Sequence, residues 1–528
     1  MRSFNILRVL TTNQLKTMKK KVLLWACASA LVFTACNKDN DASIYNADVK
    51  TAASELQESN EFLTIDQINA LIDQSFFEKQ SFSWDDVAAN VLWSAAIHGG
   101  ELITVGYGGE GESFSETRDS RLEGIQNDIL NVVSAEEGTT RSEQRFLADD
   151  VLNVLDLQIT SLETVRALMA TPNIRYLEPN GYSFYELRPE QGAQPQRSSS
   201  GCNFDGASLY GADYRTVAPN ALVSWTFDKH NITQAWSQST GAGVTVGVID
   251  TGLSPNQPKL GSEFTDAWSI NSRTVQKYGT FIDSSWWWSS NYDGPNDKCG
   301  HGTSMAATIA APRNNEYMPV GVAYDCNLVS YRGTEDVVLN DYHERKGVSN
   351  ALKALGNRSD VKIISMSVGY PWSIGNVKDA VKYAYNKGKL IFAAGGTSLN
   401  FTNWYPVIFP ASMSQAVAVT GITDAPGYNQ CDTCHDGSQI EFTVVMERDY
   451  DNSRTGVTLG FYDGDNDYVG GSSVATATTA GIAALVWAKH PTWSRSQVLS
   501  KLRQSASLYP YKDNNYGYGN INAQLAVQ

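Results

Sequence analysis

The stretch GVTVGVID, residues 243–250, is a nearly continuous apolar run that ends in an aspartate. Further runs of this kind follow along the chain: CNLVSYR (326–332), VKIISMSVG (361–369), KLIFAAGG (389–396) and AVAVTGI (416–422). Stretches with helical spacing, such as GNVKDAVKYAYNKG (375–388), lie between them. Apolar strands that alternate with helices are typical of a parallel sheet covered on both faces. The pattern therefore predicts an α/β fold whose ligands bind beyond the carboxyl ends of the strands.

Three polar residues stand at strand ends or helix starts, each close to a glycine. Asp250 ends the first strand, His301 lies in CGHGTSMAATIAAP (299–312), and Ser473 lies in VGGSSVATATTAGIAALV (469–486). A single residue at such a position is usually a helix cap or a structural residue. Together, in the order Asp, His, Ser, they match one of the chain orders in which catalytic triads recur.

Each residue type has a task in that chemistry. A serine hydroxyl is a poor nucleophile until a base removes its proton. An imidazole titrates near neutral pH, so it accepts that proton and later gives it to the leaving group. A buried carboxylate holds the imidazole in the correct tautomer. The combination indicates hydrolysis through an acylated serine.

Residues 205–528 resemble the subtilisin-like serine proteases. The resemblance rests on GVTVGVIDTGLS around Asp250, GHGTSMAATIAA around His301 and GSSVATATTAG around Ser473. It implies a serine endopeptidase that cleaves protein or peptide substrates. By the same resemblance, Asp250 orients the base, His301 is the base and Ser473 is the nucleophile.

The resemblance also locates a substrate groove and an oxyanion hole. It places these residues in the groove, the last of them near the floor of a pocket for an apolar side chain: Ser367, Val368, Gly369 and Ile408. The family's oxyanion-hole asparagine is replaced here by Gly396, in AAGGTS (393–398). Asn400 or Asn403 could then supply the donor, with Thr397 a lesser candidate. An asparagine introduced at position 396 is expected to keep or raise activity.

Other departures from the family pattern leave a second hypothesis open. Ser304 replaces a histidine of the His box, and Ala477 and Thr478 replace Pro and His of the Ser box. Together with Gly396, they allow a catalytically inactive relative that acts as a peptide- or protein-binding module.

The first 36 residues have the layout of a secretory signal, with Met18 as an alternative start. Lysines at 19–21 precede an apolar stretch, 22–33, that is short for a membrane span. The sequence Thr-Ala-Cys that ends at Cys36 resembles a lipoprotein signal, so Cys36 is the predicted lipidation site; a plainly cleaved signal is the alternative. NKDND (37–41) resembles the acidic tag of surface lipoproteins. The expected location is the outer membrane or cell surface of a Gram-negative bacterium, through a lipid anchor.

The composition predicts several segments. They are a signal peptide (1–36), a polar region without an assigned role (37–100), a propeptide-like module (101–187), a linker (188–204) and the peptidase domain (205–528). The module is predicted to be α+β, because VLDLQIT (154–160) alternates apolar and polar residues like a strand with one exposed face. Residues 101–187 resemble the propeptide of the family, which helps its own enzyme to fold and then inhibits it, and the segment 156–179 carries most of this likeness. An unrelated α+β module is the alternative. The resemblance implies a zymogen that cleaves itself between Phe184 and Ser200.

The remaining signals concern partners and cofactors. A net charge of −15 argues against nucleic acid as a partner. CDTCH (431–435) matches a haem-attachment motif, but a disulfide is favoured over haem or zinc. DGDND (463–467) resembles the start of a calcium loop, which leaves a structural calcium ion open. A solvated turn is favoured, and no metal ligand is assigned.

The run Trp286–Trp288 is expected either to line the groove or to fill the core.

Overall fold

The computed structural model describes residues 60–117, 119–184, 202–397 and 406–528. Phe62–Gln528 form one compact unit; of the other unit, Met1–Glu61, only the last two residues are described. Several predicted features lie outside the described residues: Cys36, Asn400, Asn403 and the cleavage window after Phe184. They stay predictions.

The strands, in chain order, are β1 (Leu102–Tyr107), β2 (Phe146–Asp149), β3 (Val154–Gln158), β4 (Ile174–Glu178), β5 (Tyr214–Val217), β6 (Ala221–Ser224), β7 (Thr245–Asp250), β8 (Val275–Gly279), β9 (Asn327–Arg332), β10 (Val361–Met366), β11 (Leu390–Ala394), β12 (Val417–Thr423), β13 (Ile440–Glu447), β14 (Gly456–Leu459) and β15 (Asn466–Val469). The helices are α1 (Ile65–Lys79), α2 (Ala89–His98), α3 (Ser120–Glu137), α4 (Leu162–Ala170), α5 (Trp225–Lys229), α6 (Ile232–Ala235), α7 (His301–Ala310), α8 (Tyr342–Asn357), α9 (Gly375–Asn386), α10 (Gly471–Lys489), α11 (Arg495–Gln504) and α12 (Ala523–Ala526). Short 3-10 helices span Trp84–Asp86 and Pro258–Leu260.

A parallel sheet forms the centre of residues 205–528, which we call the peptidase part after the predicted domain. Among the described residues it has seven strands, in the order β13-β12-β11-β10-β7-β9-β8. Every residue of β7 and of β11 is buried. Because successive side chains point to opposite faces, both faces must be covered. The predicted α/β fold with a parallel sheet is confirmed.

Helix α10 forms the core of this part and packs against α7 and the strands β10 to β13. Its small residues allow close approach: a Cβ at Gly481 would lie 2.6 Å from Cβ of Val322. In the described part of the chain, α10 alone is long and apolar enough to cross a membrane, but 89% of its apolar window is buried inside the protein. Burial on all sides explains its uniformly apolar sequence.

An antiparallel sheet of order β2-β3-β1-β4 lies upstream, together with α3 and α4. The alternation in β3 is present, but its polar side is only partly exposed. Asp156 is fully buried, and its Oδ2 accepts from the hydroxyl of Tyr342 and from Lys346 Nζ, each at 2.8 Å. The predicted exposed face is therefore wrong at Asp156, because helix α8 covers it, whereas Gln158 is half-buried and Thr160 is exposed.

Candidate active site

Asp250 and His301 meet at the carboxyl edge of the parallel sheet. Asp250 is the last residue of β7 and is fully buried. His301 is the first residue of α7, and its Nδ1 lies 2.7 Å from Oδ1 of Asp250. A carboxylate can only accept, so Nδ1–H donates, and Nε2 of the neutral ring is the atom that can take a proton.

The loop before α7 is held by Asp297, a residue that the sequence analysis did not single out. Its Oδ1 accepts from the N–H groups of Cys299 and Gly300, both at 2.8 Å, and its Oδ2 accepts from the N–H of Thr303 at 3.0 Å. The hydroxyl of Thr251 also donates to it, at 2.9 Å. One buried carboxylate therefore ties the start of α7 to the end of β7. No spacing rule reveals it, because most of its partners are backbone groups.

Ser473 is the third residue of α10 and is partly exposed. The turn before it requires glycine: Gly471 has φ of +73°, and a Cβ there would lie 2.6 Å from the hydroxyl oxygen of Thr397. Within the described residues, no hydrogen bond joins the Ser473 hydroxyl to His301. Catalytic hydrogen bonds often form only when substrate binds, so a catalytic triad does not require this hydrogen bond in the free protein.

The electrostatics of the site favour a protonated imidazole. Burial by itself lowers the pKa of His301, but the charge of Asp250 and its hydrogen bond outweigh burial and raise the pKa above its usual value. A general base that takes the proton of a serine needs this stabilisation of its charged form.

The profile of the subtilase family (Peptidase_S8) matches residues 241–519, more than half of the chain. The chain belongs to the subtilase family. The matched segment contains Asp250, His301 and Ser473, and membership supports a serine protease function with proteins as substrates.

Known subtilases are similar over different lengths of this chain. Subtilisin E of Bacillus subtilis (strain 168) is 30% identical over 292 residues, which are 55% of this chain and 67% of that protein. M-protease of Shouchella clausii (strain KSM-K16) is 27% identical over 443 residues, 82% of this chain and 93% of that protein. The second match therefore extends well upstream of residue 241.

A solved structure shows the same fold over a similar span. Fervidolysin from Fervidobacterium pennivorans, described as a keratinolytic enzyme related to subtilisin, superposes with a TM-score of 0.55 at 17% identity. The superposition covers 81% of this subtilase and 61% of the fervidolysin chain.

Gly396 follows β11 with φ of +130°, in the predicted oxyanion region. A Cβ built on it would lie 2.3 Å from Nδ1 of His435. That imidazole is held in place: the N–H of His435 donates to the Gly396 carbonyl at 3.0 Å, and Nδ1 lies 3.1 Å from the Pro406 carbonyl. The space that an asparagine side chain would need is filled. This overlap removes the room on which the expected restored donor depends, so Gly396→Asn is expected to destabilise the chain; its effect on activity stays a prediction.

Thr397 and Ser472 connect this region to the start of α10. Oγ1 of Thr397 accepts from the N–H of Ser472 at 3.2 Å, and Oγ of Ser472 accepts from the N–H of Gly396 at 3.1 Å. Thr397, the lesser candidate donor, is therefore bonded to the residue before Ser473.

The predicted groove edge has its backbone groups bonded within the chain. The N–H of Gly369 donates to the Val337 carbonyl, and its carbonyl accepts from the N–H of Leu339, both at 3.0 Å. Tyr370 exchanges two hydrogen bonds with Phe409, at 2.9 and 3.0 Å. A peptide strand can pair with Gly369 only after residues 337–339 move.

The other predicted groove residues lie close by. The hydroxyl of Ser367 donates to the carbonyl of Ser473 at 3.1 Å, and Val368 is buried. A Cβ at Gly369 would lie only 2.5 Å from Cδ1 of Ile408. The structure thus places Ser367 against Ser473 and the Ile408 side chain against Gly369.

The cysteines of CDTCH bond to each other, as Cys431–Cys434, and a second disulfide joins Cys202 to Cys299. The favoured disulfide is present, so neither sulfur of the motif is available to haem or zinc. Cys326 is buried and is not part of a disulfide. In the part of the chain that the structure describes, no group of three or more His, Cys, Asp or Glu side chains could hold a metal ion.

The tryptophan run contacts the upstream sheet. Trp287 is buried in a cluster with Leu102 of β1 and Tyr342 of α8. The guanidinium carbon of Arg145 lies 3.8 Å from the ring centre of Trp288. Beside this run lies a cavity of about 560 Å³. The tryptophans therefore form a contact surface between the peptidase part and the N-terminal module.

Proposed function

We propose that this subtilase is a serine endopeptidase in which Ser473 attacks, His301 transfers the proton and Asp250 orients the imidazole. The observation that carries the proposal is the 2.7 Å contact of His301 Nδ1 with Asp250 Oδ1. This contact lies at the carboxyl edge of the sheet. Ser473 lies at the same edge, because its carbonyl accepts from the hydroxyl of Ser367, the residue after β10.

The reaction begins when Oγ of Ser473 adds to the carbonyl carbon of a peptide bond and Nε2 of His301 takes the hydroxyl proton. The tetrahedral intermediate collapses, the C–N bond breaks, and His301 gives the proton to the leaving amine. Water then adds to the acyl-serine by the same proton route and releases the acid product. Asp250 stabilises the imidazolium in both steps.

The oxyanion would be stabilised less well than in a subtilase with an asparagine at position 396. The backbone N–H of Ser473 lies in the first turn of α10, where the N–H groups point out of the helix and the helix dipole favours negative charge. Loss of one oxyanion donor lowers kcat by about 10²–10³-fold. We therefore expect a slow enzyme unless Asn400 or Asn403 replaces the missing donor.

A fluorophosphonate probe tests the proposal. Such a probe reacts with an activated serine, so the purified wild-type chain should become labelled and Ser473→Ala should not. Unlabelled wild-type protein, shown by circular dichroism to be folded and freed of the propeptide-like module with an added protease, would favour the alternative, an inactive peptide-binding module.

We also propose that residues 101–187 are the inhibitory propeptide of this enzyme. The module packs on α8 and α9 through buried charges: Arg175 pairs with Asp379 at 2.6 Å, and Lys346 pairs with Asp156 at 2.8 Å. Apolar burial adds to these pairs: Leu102 of the module lies in one buried cluster with Trp287 and Tyr342, so the module should stay bound after the chain is cut. The M-protease match, which extends upstream of residue 241, supports the assignment.

Self-cleavage is expected between Phe184 and Ser200, most closely at residues 185–187. N-terminal sequencing of the mature protein measures the site, and Ser473→Ala produced in a protease-free host should remain intact. A mature N-terminus far outside this window, or a processed Ser473→Ala chain, would assign the cut to another protease.

We further propose that Cys36 carries a lipid and anchors the protein at the outer membrane or cell surface. Labelling with a palmitate analogue should mark the wild type but not Cys36→Ser; equal labelling would contradict the proposal. Cleavage after Phe184 would then leave the peptidase domain on the membrane only through its non-covalent contacts with the module.

A further inference from the structure

Residues 62–98, which the sequence analysis left without a role, form a helical arm that contains α1, the 3-10 helix at Trp84–Asp86 and α2. The arm is fixed to the propeptide-like module by hydrogen bonds. Trp93 Nε1 donates to the Thr160 carbonyl at 2.9 Å, and the hydroxyl of Tyr182 donates to Asn69 Oδ1 at 2.8 Å. The arm is therefore placed by the module.

The arm also reaches the peptidase part, at Trp372. The ring centre of Trp372 lies 5.8 Å from that of Phe76 and 5.0 Å from that of Phe82. Phe184 of the module lies 5.4 Å from the same ring, and Tyr370 lies 4.4 Å from it. Trp372 is only 5% exposed as a result. We call these five residues the aromatic cluster.

The aromatic cluster lies at the end of the predicted groove segment. Tyr370 follows Gly369 directly and Trp372 lies three residues after it. Gly369 is the residue whose backbone is bonded to Val337 and Leu339. The arm and the module pack on Tyr370 and Trp372 and restrict their movement. The backbone hydrogen bonds of Gly369 with Val337 and Leu339, called here the closed pairing, are therefore kept in place.

We propose that the helical arm is a second inhibitory element, which locks the groove segment by placing Phe76 and Phe82 on Trp372. The proposal rests on the proposed protease function, but the lock itself can be measured without activity. Aromatic side chains bury about 150–250 Å² each, so two of them supply a large share of the contact. Withdrawal of the arm would expose Trp372 and free the edge at Gly369 to pair with a substrate strand.

Helix α1 contains a residue that serves as a matched control. Phe76 is 1% exposed, whereas its neighbour Phe77 is 74% exposed. In the full chain with Ser473→Ala, amide hydrogen exchange of Gly369 and Leu339, whose N–H groups make the closed pairing, is measured for Phe76→Ala and for Phe77→Ala. We expect at least a tenfold faster exchange at these two amides in Phe76→Ala and no change in Phe77→Ala. Faster exchange confined to α1, with Gly369 and Leu339 unchanged, would overturn the proposal.

Full chains with the native Ser473 give the second readout. The lag before full hydrolysis of a chromogenic peptide should shorten at least tenfold in Phe76→Ala and stay within twofold in Phe77→Ala. Phe82→Ala repeats both measurements if Phe76→Ala does not accumulate. If the exchange result holds but no variant hydrolyses peptide, the arm locks an inactive relative, and only the protease proposal fails. Equal lags for the two variants would contradict an inhibitory role.

Discussion

Both carboxylate oxygens of Glu178, the last residue of β4, lie within 2.9 Å of the backbone nitrogen of Gly375, the first residue of α9. A residue of the propeptide-like module thus caps a helix of the peptidase part, where unpaired N–H groups need an acceptor. Burial raises the pKa of Glu178 to about 7; the Gly375 hydrogen bonds and the charges of Lys378 and Arg345 reduce this rise, and Asp85 adds to it.

This carboxyl group should make the chain less stable as pH rises. Glu178 has an ordinary pKa of 4.5 when unfolded and about 7 when folded, so the folded state holds the proton more tightly. The proton on Glu178 adds fully to the free energy of unfolding below pH 4.5, and this contribution is lost as pH rises through about 7. The change in the free energy of unfolding over this range is at most about 3 kcal/mol. The measurement is the thermal midpoint of the full Ser473→Ala chain between pH 4.5 and 8.

Glu178→Gln is the matched control, since the amide oxygen can still accept from Gly375 but does not titrate. The midpoint of the variant should fall less between pH 4.5 and 8 than that of the chain with Glu178. Identical pH dependence in both chains would assign the effect to other groups at the interface.

Asp250→Asn should lower kcat by about 10⁴-fold, because the amide favours the wrong imidazole tautomer. It should also lower the pKa of His301, which the Asp250 carboxylate raises. Activity needs the neutral imidazole, so the acid limb of the kcat/KM profile should move to lower pH. Peptide hydrolysis across pH measures both effects. If the acid limb does not shift, a group other than His301 controls it.

Gly396→Asn should destabilise the chain rather than repair the oxyanion hole. A residue with a side chain is strained at φ of +130°, by about 1–3 kcal/mol, and its Cβ would overlap the His435 ring. Denaturant unfolding of the Ser473→Ala chain measures the loss. Gly396→Asn with His435→Ala should recover part of it; a double variant less stable than Gly396→Asn would show that the clash is not the cause.

Trp288→Ala should loosen the module from the peptidase part. The Arg145–Trp288 contact is worth about 0.5–2 kcal/mol, which corresponds to a few-fold to about 30-fold faster amide exchange in β2. Tyr511→Ala, at a residue that is 81% exposed, is the control and should leave β2 unchanged. Equal exchange in both variants would show that Trp288 adds nothing to the contact.

The sequence by itself determined the parallel sheet and the three residues proposed for the triad. Apolar strand runs, glycine turns and small-residue helices are local patterns, and buried strands have few other ways to satisfy their backbone. The sequence therefore places Asp250 and His301 at strand and helix ends, and the structure shows their contact.

Only the tertiary structure decided what surrounds those residues. His435 beside Gly396, Asp297 under the start of α7, and Phe76 on Trp372 join parts of the chain that no local pattern relates. The alternation of β3 is visible in the sequence, yet Asp156 on its polar face is buried, because Lys346 and Tyr342 reach it from nearly two hundred residues away. Burial and charge pairing across such separations depend on packing, and packing is a property of the folded chain rather than of any stretch of its sequence.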